Sequence, residues 1–88
     1  MTSWVKCSDV ENGMLPGEYA VEMETSDDGT VSLFAREDKV KPAEKLIRVE
    51  VLKDSNGGGT VLVSLPAPAF EISSRTVRVP QDNLVKFE

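Results

Sequence analysis

The stretch from Leu46 to Leu65 constrains the fold more than any other part of the chain. Ile47, Val49 and Val51 put β-branched residues at every second position, and Val61, Val63 and Leu65 resume the alternation after Asp54-Ser55-Asn56-Gly57-Gly58-Gly59. A period of two sends successive side chains to opposite faces of a strand, so each arm has one apolar face for a core. The Asn-Gly-rich gap supplies the positive φ angles that a chain reversal needs. The stretch therefore reads as a β-hairpin. Pairing Val51 with Val61, Val49 with Val63 and Ile47 with Leu65 gathers all six on one side, and a slip of one residue would oppose apolar and polar groups along the ladder. The other face carries Leu46, Arg48, Glu50, Leu52, Thr60, Leu62 and Ser64. It is half apolar, which predicts a central place in the sheet with partial cover on the second side.

Two further hairpins flank this one. Tyr19, Val21 and Met23 alternate with polar or small residues, as do Val31, Leu33 and Ala35, with Ser26-Asp27-Asp28-Gly29 between. A three-residue loop with Gly29 left-handed pairs Met23 with Leu33 and Val21 with Ala35, and leaves Phe34 pointing outward between Ser32 and Arg36. Residues 35–45 read as a charged connector interrupted by Pro42. Pro66-Ala67-Pro68-Ala69 reads as a bend, because prolines cannot donate to an interior ladder. Phe70-Glu71-Ile72 and Thr76-Val77-Arg78-Val79 then form a shorter hairpin around Ser73-Ser74-Arg75. Pro80–Asn83 is a single tight turn and Leu84–Phe87 a closing strand. Residues 1–17 are expected as a mobile amino-terminal arm, with Trp4–Cys7 a short edge strand and turns at Asn12-Gly13 and Pro16-Gly17. Tyr19 and Phe70 fit core positions. Thr30–Leu33 followed by Asp38–Lys41 parallels Thr76–Val79 followed by Asp82–Lys86, the pattern of a duplication of about 45 residues.

Within the last part, Thr76-Val77-Arg78-Val79-Pro80-Gln81-Asp82-Asn83-Leu84-Val85 resembles the tail of SH3-like barrels: a strand, a proline, one 3₁₀ turn and a closing hydrophobic strand. The resemblance implies a barrel. It does not extend to proline-rich peptide binding, because the acidic-aromatic segment and the tryptophan after the central loop that SH3 domains use have no counterpart. The Val-Pro stretch is also similar to that of swapped-hairpin transcription factors, whose basic face is missing here. The expected fold is all-β, a single domain over residues 1–88. It is a small SH3-like or partly open barrel of three β-hairpins, with a small two-sheet β-sandwich as the alternative.

A chain of 88 residues sits just above the size at which a core stands without staples. One cysteine, Cys7, excludes an internal disulfide framework and multi-cysteine metal sites. The chain contains no histidine, which removes the commonest general base and metal ligand and, with them, Ser-His and Cys-His nucleophile pairs. Asp27 and Asp28 beside Gly29 fit turn chemistry better than a calcium loop, whose further oxygens are missing. Gly57-Gly58-Gly59 has no Gly-Lys-Ser/Thr behind it and is a hairpin tip, not a phosphate loop. No enzyme activity, metal or cofactor is expected.

Charge is uneven. Residues 1–44 hold four basic and ten acidic side chains, whereas residues 45–88 hold six and five. An acidic front half repels a phosphate backbone, so nucleic acid is a disfavoured partner. The leading expectation is a non-catalytic protein-interaction or self-association module that uses an exposed strand edge, with Trp4 and Phe34 as contact residues. The alternative is a nucleic-acid or ribosome-associated accessory barrel using Arg48, Arg75 and Arg78 of the more basic half. A cytoplasmic monomer or weak homodimer is expected, since the first residues lack the apolar run of a signal peptide and no stretch is apolar enough to span a bilayer.

Overall fold

The computed structural model describes residues 2–54 and 58–87. The chain is all-β, with strands β1 (Thr2–Lys6), β2 (Asp9–Asn12), β3 (Glu18–Glu24), β4 (Thr30–Arg36), β5 (Val40–Lys41), β6 (Leu46–Asp54), β7 (Thr60–Ala69), β8 (Ser74–Pro80) and β9 (Leu84–Phe87). Single 3₁₀ turns, Glu37–Lys39 and Gln81–Asn83, precede β5 and β9. One antiparallel sheet has the order β8-β7-β6-β1-β9, with β5 also on β6; the other is β2-β3-β4. Val5, Ile47, Val49, Val61, Val63, Val77 and Val79 of the larger sheet share one buried cluster with Val21, Met23, Val31, Leu33 and Ala35 of the smaller. Among the described residues no helix is long and apolar enough to cross a membrane.

The central hairpin lies inside the sheet, as its half-apolar second face predicts, but in another register. Val51 pairs with Val63 rather than Val61, and after an irregularity at Leu52 the pairs are Lys53–Leu62 and Asp54–Val61. The early hairpin behaves alike: Met23 pairs with Val31 and Val21 with Leu33, around a loop of Thr25–Gly29. In both, the observed register differs from the expected one by two residues at the valine-rich pairs. Alternation forbids a slip of one, which would turn the apolar set outward, but is blind to a slip of two. Thr25 settles the early loop. Its hydroxyl accepts the Asp28 N–H (2.9 Å) and donates to the Gly29 carbonyl (2.7 Å), while Gly29 takes φ +67°.

Three more expectations need correction. Trp4 and Val5 are not on an edge, because β1 pairs with β6 on one side and β9 on the other. Residues 1–17, expected as an arm, supply both β1 and β2. The third hairpin also differs. Strand β7 continues through Pro66 and Pro68 to Ala69, and Phe70–Ser73 form the turn into β8, with Ser73 left-handed at φ +51°. The prolines respect their missing donors in another way: the β7–β8 ladder breaks between Ser64 and Ala69, where they lie.

The two halves of the chain share one hydrogen-bonding scheme. Gly17 (φ +76°) and Gly59 (φ +74°) each precede a strand in a backbone conformation that favours glycine. The Gly17 carbonyl accepts the Glu37 N–H (2.8 Å) and the Gly59 carbonyl accepts the Gln81 N–H (2.9 Å), so each glycine anchors the 3₁₀ turn two strands later. Tyr19–Ala35 and Val21–Leu33 in one half match Val61–Val79 and Val63–Val77 in the other. Asn12–Tyr19 matches Asp54–Val61. Each half then lends its short last strand to the other, β5 to β6 and β9 to β1. The repeat read in the sequence is present in this geometry, with the strand match displaced by two residues: Leu33 and Ala35 correspond to Val77 and Val79. The Val5–Ile47 pair lies where the halves meet.

That placement yields a direct stability test. Ile47 is fully buried, so Ile47→Ala lowers unfolding free energy by about 2–5 kcal/mol in urea denaturation. Leu52 is 51% exposed at the ladder irregularity, and Leu52→Ala changes it by no more than about 0.5 kcal/mol.

Candidate interaction surfaces

Trp4 does not present itself to solvent. It projects from the face of β1 opposite Val5, away from the main core, yet only 8% of it is exposed. Alternation places Leu46, Val85 and Phe87 on that same outer face. Leu46 is buried there, and the Phe87 ring meets the indole edge-on at 6.5 Å between centroids. The Lys41 ammonium stands 5.0 Å from the Trp4 centroid and 5.5 Å from that of Phe87. A cation over two ring faces is favourable, by about 0.5–1 kcal/mol at exposed sites. Trp4 is thus the floor of a satellite core with Lys41 above it, and the expectation that it forms an open contact surface is corrected. The sequence hid this because β5, which carries Lys41, is only two residues long.

Phe34 does face outward from β4, as expected, and it has a partner the sequence placed elsewhere. Phe70, expected in the core, is 60% exposed in the β7–β8 turn, and its ring meets Phe34 edge-on at 5.3 Å. Together with Ala67, Pro68, Ala69 and Ser73 they line an apolar depression of about 480 Å³. The turn is tied to β4 at Ser32: the Phe70 N–H donates to the Ser32 carbonyl (2.9 Å). In return, the Ser32 N–H and hydroxyl donate to the Glu71 carboxylate at 2.7 and 2.6 Å. The Ser32 hydroxyl, followed by its amide, holds the Glu71 carboxyl below the ordinary carboxylate range. Nothing local in the sequence links Ser32 to Glu71; only the approach of β7 to β4 does.

The three arginines part company. Arg48 and Arg75 line one cleft with Lys39, Glu50, Thr2, Ser3 and Ser64. Arg78 is absent from that lining and reaches instead toward Asp27 of the β3–β4 loop, at 3.6 Å. Met14 and Leu15, which sequence reasoning passed over, are 81% and 65% exposed at the β2–β3 turn. Cys7 is half-buried; its thiol lies 3.6 Å from the Val5 carbonyl, and burial pushes it up to about 12. The thiolate is the reactive form, so Cys7 is chemically quiet in the folded chain.

Two solution measurements follow from these environments. The lowered Glu71 value means that its tie to Ser32 is present above its ordinary value of 4.5 and is lost as pH falls through the lower folded one. An NMR pH titration should show the Ser32 amide shift following that single low transition, and Glu71→Ala should abolish it. Cys7 should react with a thiol reagent at pH 8 slower than free cysteine by about two to three orders of magnitude, recovering on denaturation. A fast native reaction would contradict its burial.

Compared with known proteins, the chain matches no family model, no curated protein and no solved structure.

Proposed function

We propose that this protein is a non-catalytic interaction module, acting in the cytoplasm, whose contact surface is the Phe34–Phe70 face between β4 and the β7–β8 turn. The observation that carries the reading is Phe70. A phenylalanine 60% exposed in a turn gains little from its own fold, yet the turn beneath it is pinned by three hydrogen bonds to Ser32. A ring held in place before contact loses little further freedom on binding, which is how preorganised aromatic anchors gain affinity. The depression beside it suits one inserted aliphatic or aromatic side chain.

Charge selects the partner. The protein carries a formal net charge of −5, and Glu71 follows Phe70 in the turn, its carboxylate bound to Ser32. The surface it fits is an apolar side chain flanked by lysine or arginine on another protein, with opposite fields assisting encounter. The missing histidine leaves little means for catalysis and supports a binding role.

The test is Phe70→Ser. Because the ring is exposed, the variant should melt within a few degrees of wild type. Tagged wild-type protein recovered from its own cells should carry a defined partner that Phe70→Ser and Phe34→Ala lose, while Leu52→Ala retains it. Capture of the same proteins by wild type and Phe70→Ser would defeat the reading. Sedimentation of purified protein distinguishes self-association, which would appear as a dimer that Phe70→Ser converts to monomer.

A further inference from the structure

The near-symmetry of the two halves exposes one place where they part, and that place is a cleft. In the first half the β3–β4 ladder runs on unbroken through Met23–Val31 to Glu24–Thr30. In the second, the β7–β8 ladder is interrupted after Ser64–Thr76, just before Pro66, and resumes only at Ala69–Ser74. Pro66 has no N–H to continue it. Arg75 therefore occupies the position that Val31 holds in the other half, but where Val31 is fully buried, Arg75 is exposed. The space between β1, β6 and the interruption of the β7–β8 ladder measures about 650 Å³.

The chemistry of the two places has diverged with the geometry. The cleft is lined by the cations Lys39, Arg48 and Arg75, one carboxylate, Glu50, and the hydroxyls of Thr2, Ser3 and Ser64. At the places that the repeat relates to these stand Asn83, Lys6, Val31, Ser8, Glu44, Lys45 and Glu22. There the N–H and hydroxyl of Ser8 both donate to the Glu22 carbonyl at 2.8 and 3.0 Å, and the equivalent pair at the cleft is Glu50–Ser64. The difference between the two places is Arg75 for Val31 and Ser64 for Glu22, while Arg48 answers to another cation, Lys6. Neither Arg48 nor Arg75 forms an ion pair among the described residues, although the chain has more acidic than basic groups; Lys39 meets the exposed Asp38 at 3.8 Å.

We propose that this cleft binds a small phosphate monoester. Three cations against Glu50 and the Asp38 that meets Lys39 leave a local charge of +1, opposite in sign to the roughly −1.5 to −2 of a phosphate monoester at neutral pH. Arginine is the side chain best suited to grip phosphate oxygens through paired N–H donors. Glu50, the one carboxylate of the lining, repels the phosphate and moderates its affinity. The volume is that of a small-molecule site. A nucleic-acid strand fits less well, because a strand needs several phosphate contacts in a row and Arg78 is turned to Asp27 instead.

The full chain, labelled with ¹⁵N, is titrated with glycerol 3-phosphate at constant ionic strength. Saturable shifts are expected at the Ser3, Arg48, Ser64 and Arg75 amides. Arg48→Gln and Arg75→Gln each weaken binding about tenfold, and Glu50→Gln tightens it, since a like charge is removed. All three residues are exposed, and retained spectral dispersion shows that the variants fold. Shifts that never saturate, or affinity indifferent to both arginine substitutions, overturn the proposal. So does binding of a single-stranded RNA oligonucleotide without binding of the monoester, which would assign the cleft to nucleic acid. None of these outcomes depends on Phe34 or Phe70, so the fate of the protein-contact reading is decided separately.

Discussion

The antiparallel ladder between β1 and β6 holds the molecule together. Val5 and Ile47 face each other in it, both fully buried, one from each half of the chain. Fully burying a side chain of this size is worth roughly 1.5–3 kcal/mol, and these two do so in one of the ladders that join the halves. From that pair the arrangement spreads outward in equivalent steps. Each half sends its last short strand across to the other, so neither β5 nor β9 pairs within its own half. A half on its own would leave one hydrogen-bonding edge of β1 or β6 without that partner.

Two glycines make the repetition possible. Gly17 and Gly59 adopt positive φ at the head of β3 and β7, and each turns its carbonyl toward the first N–H of a 3₁₀ turn. The same device at both ends delivers β5 and β9 to corresponding edges. Against this regular frame the departures stand out. They lie mainly around Pro66 and Pro68: the interrupted ladder, the extra turn carrying Phe70, and the cationic cleft. The first half keeps its ladder intact and carries most of the acidic groups. The frame and the two proposed contact surfaces are thus largely separate parts of the chain.

Burial also reverses the roles suggested by residue type. Trp4, which looked available for contact, is covered on the outer face of its sheet by Leu46, Phe87 and Lys41, whereas Phe70, which looked like core, is exposed. An aromatic ring fits either environment, and local sequence does not choose between them. For Trp4 the choice rests on Lys41, supplied by a two-residue strand after a 3₁₀ turn. For Phe70 it rests on Ser32, which receives the turn and satisfies Glu71.

The alternating valines by themselves determined that the chain is all-β, which residues face inward, and that the Leu46–Leu65 hairpin is central. The closing strand and the left-handed Gly17 and Gly29 were legible too, because each is a local consequence of pattern or backbone sterics. Register was not legible, since a period of two rejects odd slips and accepts even ones. Nor were the sites. Phe34 was singled out without Phe70, and Arg48 and Arg75 were grouped with an Arg78 that pairs elsewhere. Those groupings join residues far apart along the chain, and only the pairing of whole strands decides which of them become neighbours.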